Sequence, residues 1–147
     1  KILSYCKSVD EVWHAGDIGS IEVVDKIKRL KPLKAVYGNI DNHLIRNEFP
    51  LDYRFSCENI RVWITHIGGY PNRYSKRISE GLKSEKADLF ICGHSHILKV
   101  INDKKHNLLH INPGAIGKHG FHNKRTMVRF EIDGKKIENL EIIEFNR

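Results

Sequence analysis

The chain predicts a mixed α/β domain built in layers, and three observations predict it. Apolar residues spaced three and four apart, as helices require, fall in the first half, whereas apolar runs of strand length dominate the second. Four short apolar runs stop at a side chain able to bind a metal: at Asp17, at Asn39, at His66, and at the pair His94 and His96. The length of 147 residues is that of a single domain, 1–147, with a true core.

Ile2, Leu3, Cys6 and Val9 occupy the apolar positions of a helix already under way over 1–8, so an N-terminal strand is expected to be missing from this chain. A strand over 9–15 follows. Ser20 is placed to cap a helix over 21–30, with Ile21, Val24, Ile27 and Leu30 on one face and Glu22 in the positively polarised first turn. Pro32 stops it. A strand over 34–37 leads into a polar loop over 38–48. Residues 53–56 and 60–65 read as paired strands around Glu58-Asn59. Pro71 and Asn72 open a helix whose Tyr74, Ile78 and Leu82 recur every four residues. Residues 89–92 are continuously apolar, as expected of a strand covered on both faces. Strands over 98–102 and 107–111 end at Asn112-Pro113-Gly114, a turn. The chain closes with a hairpin, 127–132 and 137–145, around a primed turn at Asp133-Gly134.

Composition narrows the function classes. At 40% hydrophobic and 29% charged the chain reads as an ordinary globular protein, and no apolar stretch reaches the ~18–20 residues that cross a membrane. No membrane association is expected. Cys6, Cys57 and Cys92 are odd in number and far apart, which argues for a reducing cytoplasm over a disulfide framework. The net charge of +7 invites nucleic acid, but the basic residues are interleaved with Asp and Glu, and no basic stripe carries interleaved aromatics. Nucleic acid is expected only as a substrate. The exception to the interleaving is 118–125, which is basic and free of acid.

Strands that present polar groups at their C-terminal ends are how open α/β sheets build their sites. One carboxylate, one carboxamide and three imidazoles, without a thiolate, suit a catalytic divalent metal better than a structural zinc cage. Each residue also has a plainer reading. Asp17 can be a turn aspartate, Asn39 an Asx turn, His66 a loop histidine, and His94 and His96 a surface pair. In extended backbone residues two apart share a side, so His94 and His96 are expected to face one pocket, with Gly93 turning the chain off its strand.

Taken together, Gly16-Asp17, Gly38-Asn39-Ile40-Asp41, Thr65-His66, Gly93-His94-Ser95-His96 and Asn112-Pro113-Gly114 resemble the motifs of the calcineurin-like metallophosphoesterases, in their small single-domain bacterial and archaeal phosphodiesterase branch. The resemblance runs from Gly16 to Arg129. It implies a four-layer sandwich of two mixed β-sheets flanked by helices. It implies a catalytic set in which Asp17 bridges two divalent ions, Asn39, His66 and His94 complete the shell of the second, and His96 binds the first. Manganese is the expected metal, with iron, zinc and nickel as alternatives. His14 and Asp41 are expected to orient these ligands from behind. The implied reaction is in-line attack of a metal-activated water on phosphorus in a small phosphate ester, most of all a phosphodiester. Lys118, His119, His122 and Arg125 are candidates to hold the substrate's non-bridging oxygens.

Two departures from the family pattern carry expectations of their own. The first family motif, Asp-x-His on the first strand, has no match, so the first ion is expected to have only Asp17 and His96, and the domain to lack that strand. Ile40 stands where many relatives carry a histidine that protonates the leaving group. Aryl phosphodiesters, with good leaving groups, are therefore expected over alkyl ones, with His43, His119 and His122 as candidate substitute acids. A non-catalytic scaffold on the same fold, as in a retromer subunit, is the competing reading. Nothing in the chain encodes an oligomeric state, and a homo-oligomer is the default.

Overall fold

A computed structural model describes residues 1–147. The elements are α1 (Ile2–Lys7), β1 (Val12–His14), α2 (Ile21–Lys28), β2 (Leu33–Ala35), α3 (His43–Glu48), β3 (Asp52–Cys57), β4 (Ile60–Thr65), α4 (Lys76–Ser84), β5 (Leu89–Ile91), β6 (Lys99–Asp103), β7 (Leu108–Asn112), β8 (Lys124–Asp133) and β9 (Lys136–Asn146). The main sheet runs β3-β4-β5-β7-β6, with β4, β5 and β7 parallel and the two edge strands antiparallel to their neighbours. β1 and β2 form a parallel pair, and β8 and β9 an antiparallel hairpin.

Side-chain alternation sets the layers. Ile60, Val62 and Ile64 of β4, Leu89 and Ile91 of β5 and Ile111 of β7 turn to one face of the main sheet. There they meet Trp13, Ala15 and Val36 around the β1–β2 pair, and Val128, Phe130, Ile132, Ile137 and Leu140 of the hairpin. The opposite face presents Trp63, Phe90, Cys92 and Leu108 to Ile78 and Leu82 of α4. Behind the β1–β2 pair, Val24 of α2 and Ile45 of α3 pack with Ala35 and Phe49. The order is therefore α4, main sheet, second β layer, then α2 and α3, which is the four-layer order expected, with the second layer made of two separate two-stranded sheets in place of one mixed sheet. Each fully buried Ile or Leu contributes roughly 1.5–3 kcal/mol, so these three clusters hold the short strands that carry the site.

Four local expectations are corrected. Residues 38–48 are not all loop, because Asn42 accepts a hydrogen bond from the Ile45 amide at 3.3 Å and caps α3. Pro71 and Asn72 do not open α4, which starts after Ser75. They sit at the centre of a turn closed by Arg73 N–H to Tyr70 O, with Asn72 at φ 72°, where the type II turn places its left-handed residue. The final hairpin turns on Gly134-Lys135, one residue later than expected, with positive φ at Gly134 alone as in a type II′ turn. The strand expected over 9–15 is only Val12–His14.

A candidate metal centre where the strands end

β1 ends at His14, and two residues later the chain turns so that Asp17 takes a left-handed φ of 57°. Its Oδ1 accepts from the Ile40 amide at 3.1 Å, and its Oδ2 lies 3.2 Å from His66 Nε2. The carboxylate reaches this position only because residue 38 is glycine. A Cβ there would stand 2.1 Å from Asp17 Oδ1 and 2.3 Å from the Asp17 backbone nitrogen.

The two loops after β1 and β2 are held together by Asp41. This buried carboxylate accepts from the amides of Gly38 (2.8 Å), Ile18 (3.1 Å) and Gly19 (2.9 Å). Arg46 of α3 adds a second tie, donating to the carbonyls of Asp41 (2.7 Å) and Asn39 (3.1 Å) while it stacks on Tyr37. His14 accepts from the Gly16 amide at 3.1 Å. Burial pushes its pKa down to about 4, so it stays a neutral acceptor under the turn that delivers Asp17.

His66, at the end of β4, is buried. Its Nδ1 lies 2.7 Å from the Ala15 carbonyl, which can only accept, so Nδ1 carries the proton. A neutral His66 then aims the Nε2 lone pair at two oxygens, Asn39 Oδ1 at 3.0 Å and Asp17 Oδ2 at 3.2 Å. His94, exposed after β5, brings Nδ1 to 3.1 Å from the same Asn39 oxygen. The ligand atoms of Asp17, His66 and His94 all lie within 4.8 Å of one another. Asp17 Oδ2, Asn39 Oδ1 and the His66 Nε2 lone pair are acceptors aimed at one another, and they repel unless a cation or proton stands among them. This donor set fits a divalent ion.

His94 and His96 are not in the extended backbone expected of them. Both are left-handed, at φ 69° and 63°, with Ser95 between. Non-glycine residues in this region cost roughly 1–3 kcal/mol each and persist where their surroundings hold them. Here the brace is Asn112, at the end of β7 and buried. Its Nδ2 donates to Gly93 O and Ser95 Oγ, both at 3.0 Å, and its Oδ1 accepts from the Gly114 amide. Burial and the neighbouring His122 hold the His96 pKa below the ordinary histidine value, against the pull of Asp17. The His96 ring meets that of His122 edge to face at 5.1 Å, and His66 meets His94 at 5.2 Å.

Of the four residues expected to clamp substrate, only His122 meets one of the expected ligands, His96. Lys118 and His119 are exposed on the loop before it. Arg125 donates to Ile116 O at 2.7 Å and lies over Phe145, neither of which belongs to the site. Sequence reasoning missed the bracing roles of Asn112 and Arg46. The first lay in plain view in Asn112-Pro113-Gly114, but its side-chain bonds reach 17 and 19 residues back. The second lay in a segment read as loop.

Residues 1–135 match the profile of the calcineurin-like phosphoesterase superfamily domain. A probable metallophosphoesterase of Methanothermobacter thermautotrophicus is 28% identical over 134 residues, covering 90% of this chain and 74% of the relative. Another, of Methanocaldococcus jannaschii, is 29% identical over 110 residues, 74% of this chain and 54% of the relative. Among solved structures, one described as a novel archaeal phosphodiesterase superposes with a TM-score of 0.76 at 21% identity, over 98% of this chain and 88% of its own. Vps29 of Entamoeba histolytica complexed with zinc gives 0.74 at 15%, over 99% and 87%. Both structures show a shared fold, and the profile over most of the chain shows the family: the chain belongs to the calcineurin-like phosphoesterase superfamily, as a metallophosphoesterase domain.

Proposed function

We propose that this domain is a phosphodiesterase that works with two divalent ions. The observation that carries the reading is the convergence of Asp17 Oδ2, Asn39 Oδ1, His66 Nε2 and His94 Nδ1 on one point. Asp17, Asn39, His66 and His94 hold one ion, and Asp17 with His96 serves the other. The mixed oxygen and imidazole set suits manganese, with iron, zinc and nickel as alternatives. The chemistry such ions supply when bound is Lewis-acid polarisation of the phosphoryl group and acidification of water for in-line attack.

The chain's own residues do the rest. The Ala15 carbonyl and the Asp41 amide clamp fix the ligands before substrate arrives, so little reorganisation is left for the reaction. Exposed His94 leaves one side open to an anionic ester. Ile40, 66% exposed beside Asn39, offers the leaving group no proton, which favours aryl phosphodiesters. Lys118 and His119 are free to meet non-bridging oxygens. The substrate is a small phosphate ester, nucleic acid enters only as a substrate, the compartment is the cytoplasm, and a homo-oligomer is the default assembly.

The test is hydrolysis of a bis-aryl phosphodiester and an aryl phosphomonoester, with and without manganese. The expected result is manganese-dependent cleavage of the diester first, reduced at least about 100-fold in Asp17→Asn and in His94→Ala, since outer partners of metal ligands alone cost 10–100-fold. A folded protein with no turnover under any divalent metal would replace this reading with the scaffold.

A further inference from the structure

His122 carries an imidazole nitrogen that the site as described does not use. Its Nε2 lies 2.8 Å from the Gly117 carbonyl, so Nε2 bears the proton and Nδ1 bears the lone pair. That Nδ1 is buried and has no hydrogen-bond partner. A buried nitrogen without a partner has lost its hydration with nothing in return, so its position calls for a partner.

The ring's placement says which kind. His122 stands against His96 with ring centres 5.1 Å apart and planes at 88°. His66 and His94 stand in nearly the same relation, at 5.2 Å and 77°. Two imidazoles that share a cation through nitrogens at ~2.1 Å place their ring centres ~3.2 Å from it and about 5 Å from each other. Both pairs have this spacing. Gly120 keeps the second pair clear, at φ 125°. A Cβ on it would stand 2.4 Å from His96 Nδ1 and 2.9 Å from His122 Nδ1, so any side chain would fill the space beside both nitrogens.

We propose that His96 and His122 together hold the divalent cation that Asp17 and His96 serve, with His122 binding through Nδ1. This deepens the two-ion reading above and rests on it for the neighbouring ion. A pair of imidazoles gives this position a borderline-soft character, so zinc and nickel should bind there more tightly than manganese. The hydroxyl-free loop over 117–122 thereby supplies a ligand, and His122 is no longer available as a clamp for substrate oxygens.

The experiment is a titration of the whole chain with zinc alone, stripped of metal beforehand. It is followed by calorimetry and by NMR of the histidine ring nitrogens, for wild type, His122→Ala, His122→Gln and His94→Ala. The expected result is two equivalents in wild type, with His122 Nδ1 shifted by zinc. His122→Ala and His122→Gln should lose one equivalent, or weaken it by more than tenfold, and keep the other, while His94→Ala should lose the opposite one. Two undiminished equivalents in both His122 variants, with an unmoved Nδ1 signal, would overturn the proposal. A single wild-type equivalent that only His94→Ala removes would also overturn it, while leaving intact the ion held by Asn39, His66 and His94. A single equivalent that only the His122 variants remove would support it and sink the ion assigned to Asn39, His66 and His94 instead.

Discussion

A methyl group on residue 38 would enter the space of the Asp17 carboxylate, 2.1 Å from Oδ1, while the same residue's amide is committed to Asp41 at 2.8 Å. Neither neighbour can move cheaply, because Asp41 also holds the Ile18 and Gly19 amides. Gly38→Ala should therefore displace Asp17 without unfolding the domain. We expect manganese affinity to fall roughly 10–100-fold, the range seen when the support of a metal ligand is disturbed, with an unchanged far-ultraviolet circular dichroism spectrum. Calorimetry showing wild-type affinity would mean that Asp17 is not placed by this contact. Asp17, Asn39, His66 and His94, which converge in the structure, were legible in the sequence because each ends an apolar run, and run ends are local features. The supports were not. Asp41 could be named, but two of its three amide bonds join residues 23 and 22 positions apart, and no local pattern encodes such a clamp.

Among the elements, α3 is the one that the sequence hides and the site needs. It has six residues, and only Ile45 is buried, so no periodicity can build up within it. Its hold on the site is Arg46, whose bonds to the Asn39 and Asp41 carbonyls fix the loop that carries the Asn39 side chain. Arg46→Ala should leave Ile45 and Phe49 packed and so preserve the helix, yet lower metal affinity by roughly tenfold. A fall in thermal stability with metal affinity untouched would assign Arg46 to packing on Tyr37 alone. The longer elements were readable for the opposite reason. β4 alternates, β5 is apolar throughout, and α4 repeats Ile78 and Leu82 on its buried face. Even so, the sequence does not mark the start of α4, because proline followed by asparagine suits a type II turn as well as a helix entry.

Over the whole molecule, the stacking of four layers is written in no single segment, since it depends on which face of the main sheet meets which partner. One consequence of that stacking is the burial of His110 in the outer face, under Tyr74 and beside Phe90. Its Nδ1 lies 3.2 Å from the Tyr74 hydroxyl, and its Nε2 has no partner. Burial pushes its pKa from 6.5 down to about 4, opposed by Asp103 and aided by Lys99. Above pH 6.5 neither the folded nor the unfolded chain protonates it, and it contributes no pH dependence. Between pH 6.5 and about 4 the unfolded chain takes a proton that the folded one refuses, so stability falls as pH falls. Below about pH 4 both states are protonated and the loss stops growing. From pH 7.5 to pH 5 this single group should remove about 2 kcal/mol. His14 has the same direction of shift and must be cancelled by comparison. Urea unfolding of wild type and His110→Gln, both in chelator so that no cation contributes, supplies that comparison. The wild type should lose about 2 kcal/mol more than the variant over this interval. Parallel losses in the two proteins would show that the folded state accommodates a charged His110, and that the pH dependence arises elsewhere.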